Sequence, residues 1–259
     1  MLEIRGGANS FLDSHKNLES NHSLDSNKTL ESNLPLDSKN IESNLKNKKQ
    51  AFEIHAFEPS IHTFKILESN TKKLLQNIDS KNCTILDSIN SEILETNDIK
   101  ITLNNCGLGL QNETLTLYYD SIASGLSSLA RRRLEHFNID FSMSERVQIR
   151  SLDNYCAAFG ITHIHLLKID VEGFELNVLN GAREMFKRGA IDIVTFEFGG
   201  CNIDTRTYFQ DFWYFFKEQK YQIYRILPNE KLYKIEQYKE LYEQFVTTNY
   251  IALRQDFRI

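Results

Sequence analysis

Two apolar runs, IHLLKI at 164–169 and IDIVTFEF at 191–198, constrain the fold of this chain more than any other feature. A short, near-continuous apolar run marks a strand that other layers must cover on both faces. The segment between them, FELNVLNGAREMFKRG, places Phe174, Val178, Ala182 and Phe186 four apart, on one face of a helix that Gly189 ends. A strand, a helix and a second buried strand form a crossover between parallel strands. The same alternation runs upstream. AFEIHAFEP predicts a strand with a turn at Pro59. Thr63 to Asn77 predicts a helix whose apolar face is Phe64, Leu67, Leu74 and Leu75. KITLNNCGLG and ETLTLYYD predict strands, with RVQIRSL pairing near the second. Ser151 caps a short helix, LDNYCAAFG, that stops at Gly160. Thr205 to Gln219 predicts an aromatic-rich helix, and YQIYRIL and FVTTNYIALR predict late strands. The fold class expected is α/β.

The first third reads differently. From Leu12 a six-residue unit recurs (LDSHKN, LESNHS, LDSNKT, LESNLP), each opened by an apolar residue with few others. That is too few for a helical stripe, and the remaining positions are too variable for a stacked solenoid. Residues 13–50 are therefore expected to be a low-complexity, flexible polar insertion between 1–12 and a domain at 51–259. The chain has 30 basic and 35 acidic residues, a net charge of −5, so no nucleic-acid partner is expected. No run approaches the roughly 18 apolar residues of a membrane span. The four cysteines form no CxxC pair. No metal site or disulfide framework is expected, and the chain is expected to be cytoplasmic.

Open α/β sheets bind ligands beyond the carboxyl ends of their strands. Four such ends carry polar residues. Gly6-Gly7-Ala8-Asn9 follows LEI, where glycine lets the backbone approach a ligand or simply makes a turn. Glu58 ends the strand before Pro59, where a carboxylate can accept ribose hydroxyls or lie at the surface. Asn105, in Asn105-Cys106-Gly107, can touch a base edge or hold a turn. Lys168-Ile169-Asp170-Val171-Glu172-Gly173 alternates charge with apolar residues at the end of a buried strand, where unpaired charge is costly. Glu197 ends the next strand. His55, His163 and His165 lie within or before strands and read as structural or surface residues. Arg131-Arg132-Arg133 reads as a solvated charge run, with an acidic sugar or phosphate as the alternative partner.

HAFEPS, NNCGLG, ETLTLYYD, IRSLDNYCAAFG, HLLKIDVEGFELNVLNGA and IDIVTFEF, in that order and spacing, resemble the FkbM family of S-adenosylmethionine-dependent methyltransferases, from about Phe52 to about Leu253. The resemblance implies a class I (Rossmann-like) sheet of seven strands, mostly parallel with an antiparallel last strand, and helices on both faces. It implies S-adenosylmethionine as cofactor and O-methylation of a hydroxyl on a sugar or secondary metabolite, with a small-molecule or glycan acceptor. By the same resemblance, Gly7, Asn9, Glu58, Asn105 and Asp170 would bind cofactor. Asp170 would lie nearest the junction of cofactor and acceptor, with Glu172 and Glu197 orienting the acceptor or taking its proton. The first motif departs from the family pattern: Arg5 stands where an Asp is usual and Phe11 where a Gly is usual. A methyltransferase-fold binding protein without cofactor is the alternative reading. A nicotinamide-dependent oxidoreductase is disfavoured, because no GxGxxG follows a strand.

Overall fold

The two apolar runs form neighbouring parallel strands, joined by helical segments as the crossover requires. The computed structural model describes residues 2–4, 52–78, 84–88, 91–96 and 99–257. Gly7, Asn9, Arg5, Phe11 and the repeat at 13–50 lie outside them. In chain order the described strands are β1 (Leu2–Ile4), β2 (Phe52–Phe57), β3 (Thr84–Ser88), β4 (Ser91–Glu95), β5 (Ile99–Asn104), β6 (Gly107–Gly109), β7 (Glu113–Tyr119), β8 (Met143–Ser151), β9 (Ile164–Ile169), β10 (Ile191–Phe198), β11 (Tyr221–Ile226), β12 (Leu232–Lys234) and β13 (Thr248–Arg254). The described helices are α1 (Ile61–Ile78), α2 (Leu152–Phe159), α3 (Glu175–Asn180), α4 (Arg183–Lys187), α5 (Cys201–Thr205) and α6 (Phe209–Glu218).

The main sheet runs β12-β11-β13-β10-β9-β1-β2-β5-β4-β3. Its five central strands, β5-β2-β1-β9-β10, pair in parallel. β13 is antiparallel to both β10 and β11, as expected of the last strand. The sheet is larger and more mixed than a mostly parallel seven strands. β12 adds an antiparallel edge on one side, and the β3–β4 hairpin adds another beside β5. A second, three-stranded sheet sets β8 between β6 and β7. RVQIRSL thus pairs with ETLTLYYD, but outside the main sheet.

Register shows which face each helix covers. His55, Leu2, Leu167 and Val194 form one row across β2, β1, β9 and β10. Two residues on, Phe57, Ile169 and Phe196 share that face. There Phe57 meets Tyr155 of α2 edge-on at 4.7 Å, and Phe196 stacks on Phe212 of α6 at 4.9 Å. On the opposite face, Ile54, Ala56, Ile101 and Leu103 pack with Phe64, Leu67 and Leu75 of α1. Helices therefore lie on both faces. The aromatic side forms the larger core, where Phe196, Phe198, Phe209, Phe212 and Phe216 are almost wholly enclosed.

Several local expectations hold. Ser151 Oγ accepts the Asn154 N–H at 3.3 Å, and Gly160 ends α2 at φ 68°. Others need correction. Leu74 is exposed, so Leu75 carries the apolar stripe of α1. His165 is exposed and Leu166 and Lys168 are half-buried, so β9 is not apolar on both faces. The helix expected from Phe174 to Phe186 is two helices. At the break, Gly181 passes β6 so closely that a Cβ there would stand 1.9 Å from the Gly109 carbonyl oxygen. Asp153 restarts the helix by accepting the Glu184 and Met185 N–H groups at 2.9 and 3.0 Å. The helix expected from Thr205 starts instead at Phe209, where the Glu243 carboxylate accepts the Phe209 and Gln210 N–H groups.

Candidate active site

Parallel register turns four separate strand ends into one row. Asn104 lies beside Phe57, and Ile169 lies beside Phe196. One residue further along, Asn105, Glu58, Asp170 and Glu197 follow these positions at the carboxyl edge of β5, β2, β9 and β10. Strands lie about 4.8 Å apart, so Glu58 and Asp170, separated by β1, stand roughly 10 Å from each other. The residues the sequence singles out at those ends are thus brought together, while Gly7 and Asn9 belong to undescribed chain.

Glu58 is 3% exposed. Its Oε1 accepts the Ser60 N–H at 2.8 Å, which fixes the turn from β2 into α1. The Asn105 amide donates to the carbonyls of Glu58 and Pro59 at 3.0 and 3.3 Å, so it clamps that same turn. Below them lies a buried polar chain. Tyr155 donates to Asn104 Oδ1 at 3.2 Å, and its oxygen lies 2.7 Å from His55 Nδ1. Ser91 Oγ also donates to Asn104 Oδ1, and the Asn104 amide donates to the Ala56 and Thr102 carbonyls. His55 is therefore part of the support beneath the edge. Burial holds its imidazole below the usual range.

The second half of the edge is acidic. Asp170 follows β9, with Lys168 Nζ 3.8 Å from its carboxylate. The chain then turns through Glu172 at φ 52° and Gly173 at φ 99°. A non-glycine residue in the left-handed region stores strain, and such strain clusters at functional sites. Three contacts hold Glu172 there. Ser128 Oγ donates to its carbonyl at 2.8 Å, Arg132 donates to Oε2 at 3.0 Å, and Cys201 Sγ lies 2.8 Å from the same oxygen. From inside, Glu175 Oε1 accepts the Val171 and Gly173 N–H groups at 3.3 and 3.0 Å. Its Oε2 is buried without a hydrogen-bond partner.

Burial raises these carboxyl groups toward the neutral form. Glu197 is pushed up to about 7 by burial, with the Asp170 and Glu172 charges adding to the effect. Glu175 is pushed up to about 7 by burial, despite its backbone donors. Glu172 is raised by burial, against the Cys201 and Arg132 contacts. One edge therefore gathers three carboxyl groups all raised toward the neutral form, a perturbation that clusters at functional sites. Arg132 also reaches Asp204 at 3.4 Å, which borders a cleft of about 660 Å³ lined by Arg131, Arg133, Glu135, His136, Ile203 and Arg206. Sequence reading passed over Glu175, Cys201 and the specific role of Arg132. Glu175 carries a signal, a carboxylate opening an otherwise apolar helical stripe. Arg132 and Cys201 meet Glu172 from 40 and 29 residues away, a pairing that spacing does not encode.

No curated protein and no solved structure matches the chain closely enough to compare. The family profile of the Methyltransferase FkbM domain matches residues 37–223, about seven-tenths of the chain. That span includes every described residue of the carboxyl-edge row and stops short of the expected limit near Leu253. With a parallel sheet whose acidic edge falls inside the matched span, the chain belongs to the FkbM methyltransferase family.

Proposed function

We propose that this methyltransferase uses S-adenosylmethionine to O-methylate a hydroxyl of a sugar, glycan or secondary metabolite, on a class I sheet. The observation that carries the reading is the row Asn105, Glu58, Asp170 and Glu197 at one carboxyl edge. The order β5-β2-β1-β9-β10-β13-β11, with β13 antiparallel, supports the class I arrangement. The donor set suits the cofactor. Glu58 provides a fixed acceptor for ribose hydroxyls, Asn105 an amide for a base edge, and Asp170 negative charge for a cationic amino-acid end. When bound, the cofactor supplies a methyl group already activated by its sulfonium charge.

The rest is done by the chain. Glu197, near 7, is substantially deprotonated at neutral pH and can accept the proton of the acceptor hydroxyl as the new bond forms. Glu172, pinned by Arg132 and Cys201, is a fixed acceptor that orients that hydroxyl. The adjoining cleft, with three arginines and two carboxylates, suits a polar, hydroxyl-rich acceptor. The same reading assigns residues 51–259, with β1 from 1–12, to the methyltransferase domain. The free thiols of Cys106, Cys156 and Cys201 support a reducing, cytoplasmic setting. The test is incubation of the full chain with S-adenosylmethionine and a panel of sugars, sugar phosphates and glycans, read by mass spectrometry. An O-methylated product with stoichiometric S-adenosylhomocysteine is expected. Methyl transfer to nitrogen, or none to any hydroxyl acceptor, would count against the reading. A protein without cofactor, motivated by Arg5 and Phe11, is the second reading.

A further inference from the structure

The opposite edge of the main sheet carries a second cluster that methyl transfer does not use. His163 directly precedes β9 and His165 lies in it, two residues on, so extended backbone sets both on one face. Ile191 lies beside Ile164 and Ile193 beside Leu166, which sets Asp192 of β10 beside His165 on that face. The potential ligand atoms of His163, His165 and Asp192 all lie within 4.8 Å of one another. Asp192 is held from behind. Arg254 Nη2 contacts its Oδ1 at 3.2 Å, and the Arg254 guanidinium is tied to the Gly189 carbonyl and to Asp256. That leaves Oδ2, 2.7 Å from His163 Nε2, as the oxygen facing the two rings. Asp192 is 3% exposed while both histidines are exposed, so the carboxylate is fixed and the rings are open to solvent.

We propose that His163, His165 and Asp192 bind a divalent transition-metal ion, with Zn²⁺ the ion of choice. Imidazole nitrogen and carboxylate oxygen are the donors Zn²⁺, Ni²⁺ and Cu²⁺ favour, and three protein ligands leave a position for water. Arg254 plays the outer part often found at such sites, orienting a ligating carboxylate through its second oxygen. Its charge, and the solvent exposure of the rings, favour micromolar rather than nanomolar affinity. An ion pair between His163 and Asp192 accounts for the 2.7 Å contact but not for His165, whose ring centre stands 4.8 Å from that of His163. The site lies five residues down β10 from Glu197, about 17 Å away, so metal binding and methyl transfer are separable.

The test is calorimetric titration of the untagged full chain with Zn²⁺ at mildly alkaline pH, where protons compete least with the metal. A micromolar site is expected, weakened at least about tenfold in both His165→Ala and Asp192→Asn. Zn²⁺ should raise Tm in the wild type and not in His165→Ala. Since Asp192 also anchors Arg254, His165→Gln, at an exposed position, serves as the variant whose folding is least at risk. With Cu²⁺ as probe, electron paramagnetic resonance should show two coordinated nitrogens in the wild type and one in His165→Gln. No Zn²⁺ binding at about 100 µM, or binding that all three variants leave unchanged, would overturn the proposal.

Discussion

Glu197 and Asp170 occupy equivalent positions on neighbouring strands, and both are half-buried. Burial raises Glu197 to about 7, with the Asp170 and Glu172 charges adding to the effect. If Glu197 is the base, activity should rise with pH through about 7, because the protonated acid cannot accept a proton. Glu197→Gln should lower kcat by about 10²–10⁴-fold and remove that rise. Asp170→Asn keeps the shape and removes charge. It should lower kcat/KM by about 10²-fold while leaving Tm nearly unchanged. A pH–rate profile of each variant checks both. An unaltered profile in Glu197→Gln would assign the proton to another group. These residues were legible in the sequence because a charge ending an apolar strand is unusual whatever the fold. The partners of Glu172 were not, since Arg132, Ser128 and Cys201 reach it through tertiary contacts.

At the scale of elements, the turn between β9 and α3 shows how buried charge shapes a loop. Glu175 uses one oxygen to hold two backbone N–H groups and leaves the other without a partner. A carboxyl raised to about 7 in the native state and ordinary when unfolded stabilises fully below the unfolded value. That contribution is lost as pH rises through about 7. Relative to Glu175→Gln, the wild type should lose roughly 3 kcal/mol between about pH 4.5 and pH 8. Denaturant unfolding across that range measures it, and parallel stability profiles would show that Glu175 ionises as freely in the native state as in the unfolded chain. Gly181→Ala should destabilise by about 3 kcal/mol or more at any pH, since its Cβ meets backbone rather than a movable side chain. The same glycine explains why one expected helix became two. The four-residue spacing of Val178, Ala182 and Phe186 puts all three in the core, but the approach of β6 at Gly181 is a long-range fact.

At the scale of the molecule, alternating apolar strands and amphipathic helices made the α/β class legible, while the antiparallel last strand was expected only from the family resemblance. The β7–β8 pairing was legible too, but the hairpin at β3–β4, the edge strand β12 and the separation of β6-β8-β7 from the main sheet were not, because they follow from which strands pair rather than from burial. What the whole arrangement is for rests on the row of four polar residues serving as a cofactor edge. Calorimetric titration of S-adenosylmethionine into the full chain tests that most directly, with Glu58→Gln as the partner measurement. One-site binding in the micromolar range is expected, weakened at least about tenfold in the variant through a lost charge-assisted hydrogen bond. A folded wild-type chain that takes up no S-adenosylmethionine at millimolar concentration would contradict the cofactor edge and favour the cofactor-free reading.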